Sequence, residues 1–149
     1  MVKMQLHPDF KEFLRFLNSH GVKYLLVGGY AVGYHGYPRA TADMDVWIAV
    51  DEMNASRVIA ALHDFGMPAD ETTSKLLLET GNMIRMGNPP VRIEILTSAS
   101  GVDFDECFKR RTLVDIDDVL VNFISLDDLK KNKEACGRHK DIDDLEHLP

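Results

Sequence analysis

Asp43 and Asp45 stand two apart within residues 41–50, where Met44, Val46, Ile48 and Val50 alternate with Asp43, Asp45, Trp47 and Ala49. That alternation has the period of a strand, so both carboxylates leave the same face, roughly 7 Å apart along the chain with oxygens able to converge. Two such charges about 4 Å apart repel by ~1 kcal/mol in water and ~4 kcal/mol at an effective dielectric near 20, so a partly buried pair needs a cation or raised pKa values. Oxygen ligands so placed suit Mg²⁺ (or Mn²⁺), which takes one or two carboxylates and completes its shell with water and substrate phosphates. Glu94 lies on the polar side of a second strand-like stretch, Val91–Leu96, whose Val91, Ile93 and Ile95 face the other way. If the two strands pair, Glu94 completes an acidic cluster that can hold two metals, one activating an attacking oxygen and one neutralising a leaving phosphate.

Gly28 and Gly29 end the short apolar run 22–27 and open a helical stretch at 30–35. Backbone N–H groups there are free at the positive end of a helix dipole, and the missing side chains let a phosphate come close. A Gly-Gly pair alone carries little weight. Its position does more, because Asp43 follows after thirteen residues.

The elements that must hold these residues follow from periodicity. Residues 8–20 place Phe10, Phe13, Leu14, Phe16 and Leu17 at helical spacing, with Pro8 near the start and Gly21 past the end. Residues 51–65 repeat the pattern and stop at Gly66; 71–79 and 104–111 read as shorter helices. Residues 83–86 and 91–96 are strands joined by a turn of Gly87, Asn88, Pro89 and Pro90. Residues 113–124 hold two brief apolar runs around the acidic turn of Asp115, Asp117 and Asp118. Ser125, with Asp128 three residues on, opens a helix that Gly137 breaks, and 140–148 forms a last one. The expectation is an α/β (α+β) fold in one domain over residues 1–149, a small mixed sheet flanked by helices.

Composition narrows the function classes. Hydrophobic residues at 45% and charged residues at 28% match a globular protein, and no apolar run approaches the ~20 residues of a membrane span. Residues 1–16 interleave Lys3, Asp9, Lys11, Glu12 and Arg15 with apolar side chains, unlike a signal peptide, so a cytoplasmic location is expected. Cys107 and Cys136 lack metal or redox spacing and read as structural or incidental. A formal charge of -7 argues against broad contact with nucleic-acid phosphates. Against that trend, Lys130, Lys131, Lys133, Arg138 and Lys140 cluster with Glu134 as their single acid.

Gly28-Gly29, thirteen residues, Asp43-Met44-Asp45 and, downstream, Arg92-Ile93-Glu94-Ile95-Leu96 together resemble the signature of the nucleotidyltransferase superfamily that includes DNA polymerase beta and kanamycin nucleotidyltransferase. The longer run Gly28-Gly29-Tyr30-Ala31, His35-Gly36, Arg39-Ala40-Thr41-Ala42-Asp43-Met44-Asp45 is similar to the small bacterial branch related to AbiEii-type toxins. So is the ending, Leu126 to Lys133 followed by Gly137-Arg138-His139-Lys140-Asp141-Ile142-Asp143-Asp144-Leu145. The resemblance covers most of the chain. It implies a nucleoside triphosphate held through Mg²⁺ and transfer of a nucleoside monophosphate to an acceptor hydroxyl on a tRNA, a protein or a small molecule. It also implies that Gly28 and Gly29 contact the triphosphate, that Asp43 and Asp45 hold metal, and that Glu94 stands as third acid. Two departures from the pattern are Glu94, usually Asp, and Gly29, often Ser.

Each residue also has a bland reading. Glu94 could pair with Arg92 or a lysine. Arg39 and Thr41 either orient a phosphate or end a helix and cap a turn. The basic segment is by default the wet face of a helix, the alternative being that Arg138 or Lys140 reaches the triphosphate. His35 packs near the glycine turn; Trp47 either stacks on a base or fills the core edge. Two functions therefore stand side by side: a metal-dependent nucleotidyltransferase, and a catalytically weak or inactive module that binds nucleotide or a partner in a toxin-antitoxin type system. A domain this small is expected to work as a homodimer or with a cognate antitoxin.

Overall fold

The computed structural model describes residues 4–38 and 43–149. Helix α1 (Pro8–Ser19) has proline in its first turn and buries Phe10, Phe13, Leu14 and Leu17, the i, i+3, i+4, i+7 stripe of an amphipathic helix. Strand β1 (Tyr24–Val27) follows, all four side chains buried. It starts two residues later than the apolar run suggests, because the preceding residues are bonded elsewhere. The Val22 N–H closes α1 on the Leu17 carbonyl at 2.9 Å. Lys23 spends its N–H on Asn54 Oδ1 at 2.8 Å, and its carbonyl accepts from Asn54 Nδ2 at 3.2 Å.

Helix α2 (Gly28–Tyr34) begins on the first glycine, and β2 (Asp43–Ile48) carries the two aspartates. Helix α3 (Glu52–Asp64) is capped by Asp51, whose side chain accepts from the Asn54 N–H, and α4 (Glu71–Leu77) by Asp70 in the same way from Thr73. Strands β3 (Met83–Asn88) and β4 (Val91–Leu96) form the expected hairpin, and α5 (Phe104–Lys109) follows. Residues 113–124 turn out to be a second hairpin, β5 (Thr112–Ile116) and β6 (Val119–Phe123). Asp117 (φ 50°) and Asp118 (φ 68°) take the two left-handed positions of its tight turn, and Asp115 Oδ1 accepts from the Asp118 N–H at 3.0 Å. Helix α6 (Leu126–Cys136) ends on left-handed Gly137, and α7 (His139–His147) starts one residue before the expected 140 because Asp141 Oδ2 accepts from the Arg138 N–H at 3.2 Å.

The six strands make one mixed sheet in the order β3-β4-β2-β1-β6-β5, flanked by the helices. The central pairs are β1 with β2, antiparallel, and β2 with β4 and β1 with β6, parallel. Helix α1 packs on α3, β4 and β6, and Phe13 meets Phe65 edge to face at 5.1 Å. Among the described residues no helix is long and apolar enough to cross a membrane, and Cys107 and Cys136 are free thiols.

Asn54, 2% exposed, ties the start of β1 to the end of β2, since its Nδ2 also donates to the Ala49 carbonyl at 2.8 Å. Asn54→Ala strands two backbone groups, the Lys23 N–H and the Ala49 carbonyl, and is expected to cost about 2–3 kcal/mol in urea unfolding; a loss below about 0.5 kcal/mol would show that water replaces the amide freely.

Candidate active site

The register of the central strands lines up the acidic residues. Asp45 lies opposite Glu94 on β4 and opposite Val27 on β1, while Glu94 lies opposite Arg85 on β3. One row of side chains therefore reads Arg85, Glu94, Asp45, Val27 across four strands. The next row joins Gly87, Arg92 and Asp43. Met44, Val46, Ile93 and Ile95, on the opposite face, are all buried. The pleat thus sends the carboxylates to one face and anchors them from the other.

Arg92 holds Asp43 with a two-pronged fork, Nε to Oδ1 and Nη2 to Oδ2, both 2.9 Å. That hydrogen bonding, against a burial penalty, keeps the Asp43 carboxyl below its usual pKa. Arg85 takes Glu94 at 3.0 Å, a partner not expected from the sequence, while the expected Arg92 stands further away at 3.9 Å. Among the described residues Asp45 has no such counter-ion at contact distance. Its Oδ1 is buried without a hydrogen-bond partner. Burial first, then the charge of Glu94, push its carboxyl up to about 7, while Lys140 acts in the opposite direction.

Gly28 completes this corner. Its φ is +64°, and a Cβ built there would overlap the Asp45 carboxylate. Glycine is thus required twice over, by backbone and by contact. Gly28→Ala is expected to cost about 2 kcal/mol or more in chemical unfolding and to displace Asp45; wild-type stability would mean that the turn relaxes around a methyl group.

A cleft of about 170 Å³ opens beside the pair, lined among others by Gly28, Asp45, Ser98, Asn132, Lys133 and Arg138. Its far wall comes from α6 and α7. The Lys133 side chain, 4% exposed, is gripped by Asp141 Oδ1 and Asp144 Oδ2, each at 3.0 Å, and Arg138 Nε reaches Asp141 Oδ2 at 2.7 Å. Burial alone raises the Asp141 carboxyl, but Arg138 and Lys133 outweigh it and bring it below the usual range.

Of the expected site residues, Gly28, Asp43, Asp45 and Glu94 come together, with buried Gly29 beside them and Arg138 across the cleft. Lys140 is exposed and acts on Asp45 through its charge. Arg39 and Thr41 lie outside the described residues. Lys133 corrects the expectation of a wet basic face: with Leu129, Asn132 and Cys136 it falls at the i, i+3, i+4, i+7 spacing of an inward stripe, and Leu129, Asn132 and Lys133 are buried. Trp47 is 2% exposed and meets Phe104 edge to face at 5.1 Å, so it is a core residue with no open face for a base. His35 donates from Nε2 to the Ile124 carbonyl at 2.7 Å, and burial lowers its pKa.

The donor set suits a hard cation in its chemistry: carboxylate oxygens from adjacent strands, one of them buried and unpartnered. Among the described residues no three His, Cys, Asp or Glu side chains already converge as a cage; Asp43 and Glu94 are turned to arginines.

No family model matches the chain, and no curated protein does. Among solved structures it is similar to an antigenic nucleotidyltransferase-like protein from Paracoccidioides brasiliensis, with a TM-score of 0.52 and 17% identity over 97% of this chain and 77% of that one. The fold that carries Asp43, Asp45 and Glu94 is therefore nucleotidyltransferase-like.

Proposed function

We propose that the chain is a nucleotidyltransferase of the small branch related to AbiEii-type toxins, moving a nucleoside monophosphate from a nucleoside triphosphate to an acceptor hydroxyl. The single observation that carries this reading is Asp45, buried with an unpartnered oxygen against Gly28, opposite Glu94, and facing a cleft walled by Lys133 and Arg138. Asp43, Asp45 and Glu94 would hold Mg²⁺ or Mn²⁺. When bound, that cation supplies Lewis-acid polarisation of phosphate oxygens and charge neutralisation.

The chain's own groups do the rest. Gly28 and Gly29 let the triphosphate approach the backbone, and Arg138, Lys133 and Lys140 offer positive charge to its β and γ oxygens. Arg39 and Thr41 precede Asp43 in the sequence and are proposed for the triphosphate on the resemblance alone. Glu94, or the Asp45–Glu94 pair, accepts the acceptor's hydroxyl proton as its oxygen bonds to the α phosphorus; the α–β bridging bond breaks, and pyrophosphate leaves with the negative charge. A neighbouring cavity of about 370 Å³ beside Trp47 and Phe104 shares Ser98 and Ala99 with the cleft and gives an acceptor room. The acceptor is a tRNA end, a protein or a small molecule.

One observation favours a second reading: arginines occupy two of the three acids. On that reading the chain is a weak or inactive nucleotide-binding or partner-binding module, working as a homodimer or with a cognate antitoxin in the cytoplasm. Calorimetric titration of the four nucleoside triphosphates with and without Mg²⁺ separates the two. Metal-dependent binding lost in Asp43→Asn and Asp45→Asn, together with Mg²⁺-dependent release of pyrophosphate, supports the transferase site; binding without release favours the inactive nucleotide-binding module, and binding of no triphosphate favours the partner module.

A further inference from the structure

Arg92 sits on β4 two residues before Glu94 and directly across from Asp43 on β2. Its fork satisfies both oxygens of that carboxylate, yet the side chains remain 26% and 22% exposed, so the pair is not sealed from solvent. Arg85 balances Glu94 in the neighbouring row. Asp45, between them, keeps a buried oxygen with no partner. The acidic cluster is thus neutralised at its two outer members and left unbalanced at its centre.

We infer that Arg92 is a built-in competitor for the divalent cation, a positioning residue that holds Asp43 in place until the cation displaces its guanidinium. The inference rests on the cation reading of Asp43 and Asp45 above. The fork takes one lone pair on each Asp43 oxygen and sets a fixed positive charge against the carboxylate, so a cation that uses it must either displace the guanidinium or bind against its repulsion. The displaced guanidinium stays on the same sheet face, where its planar fork matches a phosphate as well as it matched a carboxylate. Cation and triphosphate then help one another: the first releases Arg92, and the second keeps it released. By linkage each raises the affinity of the other by the same factor.

The test measures Mn²⁺ alone, by electron paramagnetic resonance of the free ion, against the full chain at pH 8. Wild type, Arg92→Gln, Arg92→Lys and Asp45→Asn are compared, with thermal melts to confirm folding. Arg92→Gln is expected to bind Mn²⁺ roughly five- to tenfold more tightly than wild type without nucleotide. After correction for Mn²⁺ chelated by free nucleotide, it also shows a smaller gain in Mn²⁺ affinity on adding ATP, GTP, CTP or UTP than the wild type, because the part of the coupling carried by Arg92 is gone. Arg92→Lys keeps the charge without the fork and falls between the two; if Arg92→Gln does not fold, a tighter Mn²⁺ affinity in Arg92→Lys than in wild type decides the matter. Unchanged or weaker binding in the Arg92 variants, with Asp45→Asn still weaker than wild type, overturns the competitor role and leaves the cation site standing. Equal binding by wild type and Asp45→Asn removes the cation site, and the competitor role with it.

Discussion

Lys133→Met destabilises the protein by about 3–5 kcal/mol in urea unfolding, more than any other single change to the wall of the cleft. The lysine ammonium lies between Asp141 and Asp144, whose side chains are 0% and 1% exposed. Methionine keeps most of the volume but leaves two buried carboxylates facing each other without the ammonium between them, and breaking a buried ion pair from one side carries a cost of that size. Helix α7 is the element at risk, because α6 is its main neighbour and Lys133 is the link. A second change defines the cause. Adding Asp144→Asn to Lys133→Met should recover part of the loss, since it lowers the repulsion between the two buried carboxylates, whereas a packing defect would not respond. A loss under about 1 kcal/mol for Lys133→Met would mean that the network is solvated in solution. Because Lys133 also lines the cleft, the same variant weakens triphosphate binding, and Arg138→Ala helps to separate the two effects: Arg138 is mostly exposed, and its loss should reduce binding with a smaller unfolding cost than Lys133→Met, that of its bonds to buried Asp141.

Lys133 also marks where reading the chain alone runs out. Asp43 and Asp45 could be put on one face because the period of a strand is local, and Gly28 could be tied to them because a turn that needs left-handed backbone leaves a glycine in the sequence. The arginine forks were not legible. That Arg92 meets Asp43 and Arg85 meets Glu94 depends on the pairing of β2 with β4 and of β4 with β3, and a slip of one residue would send every side chain to the other face. Helix α7 misleads in a different way. Its Ile142 is exposed while Asp141 and Asp144 are buried, the inverse of an apolar stripe, and Lys133 from α6 and Arg138 from the turn before α7 support that orientation. The hairpin of β5 and β6 hid because its turn is Asp-Asp rather than Asn-Gly. The start of β1 shifted by two residues because Asn54, distant in sequence, took the Lys23 N–H, whereas α7 began a residue early through the local bond from the Arg138 N–H to Asp141.

Asp45→Asn has opposite effects on binding and on stability, which makes it the sharpest probe of the site. Metal-dependent triphosphate binding should fall by two orders of magnitude or more, as expected when one carboxylate of a paired cation site becomes a neutral amide. The metal-free protein should nevertheless become more stable above neutral pH. Burial and the neighbouring Glu94 raise the Asp45 carboxyl from 3.8 to about 7, so the folded state holds a proton that the unfolded chain has already released. A raised folded pKa contributes stability that is complete below about pH 4 and is lost as pH rises through about 7. Wild type should therefore weaken relative to Asp45→Asn across that window, by on the order of a few kcal/mol, and run parallel to it above pH 8. The difference between the two curves isolates the group. His35, with its lowered pKa, acts in the opposite sense, its contribution being lost as pH falls below the ordinary imidazole range, in both proteins. Asp43, Asp128 and Asp141, all lowered, lose their contribution only as pH falls below about 4, also in both. Cation binding must displace the same proton, so Mn²⁺ affinity in the wild type should climb about tenfold per pH unit up to pH 7 and then level. Parallel stability curves from pH 4 to 8 would mean that Asp45 is ionised and solvated in the absence of metal, and the cluster would then have no strain for a cation to relieve.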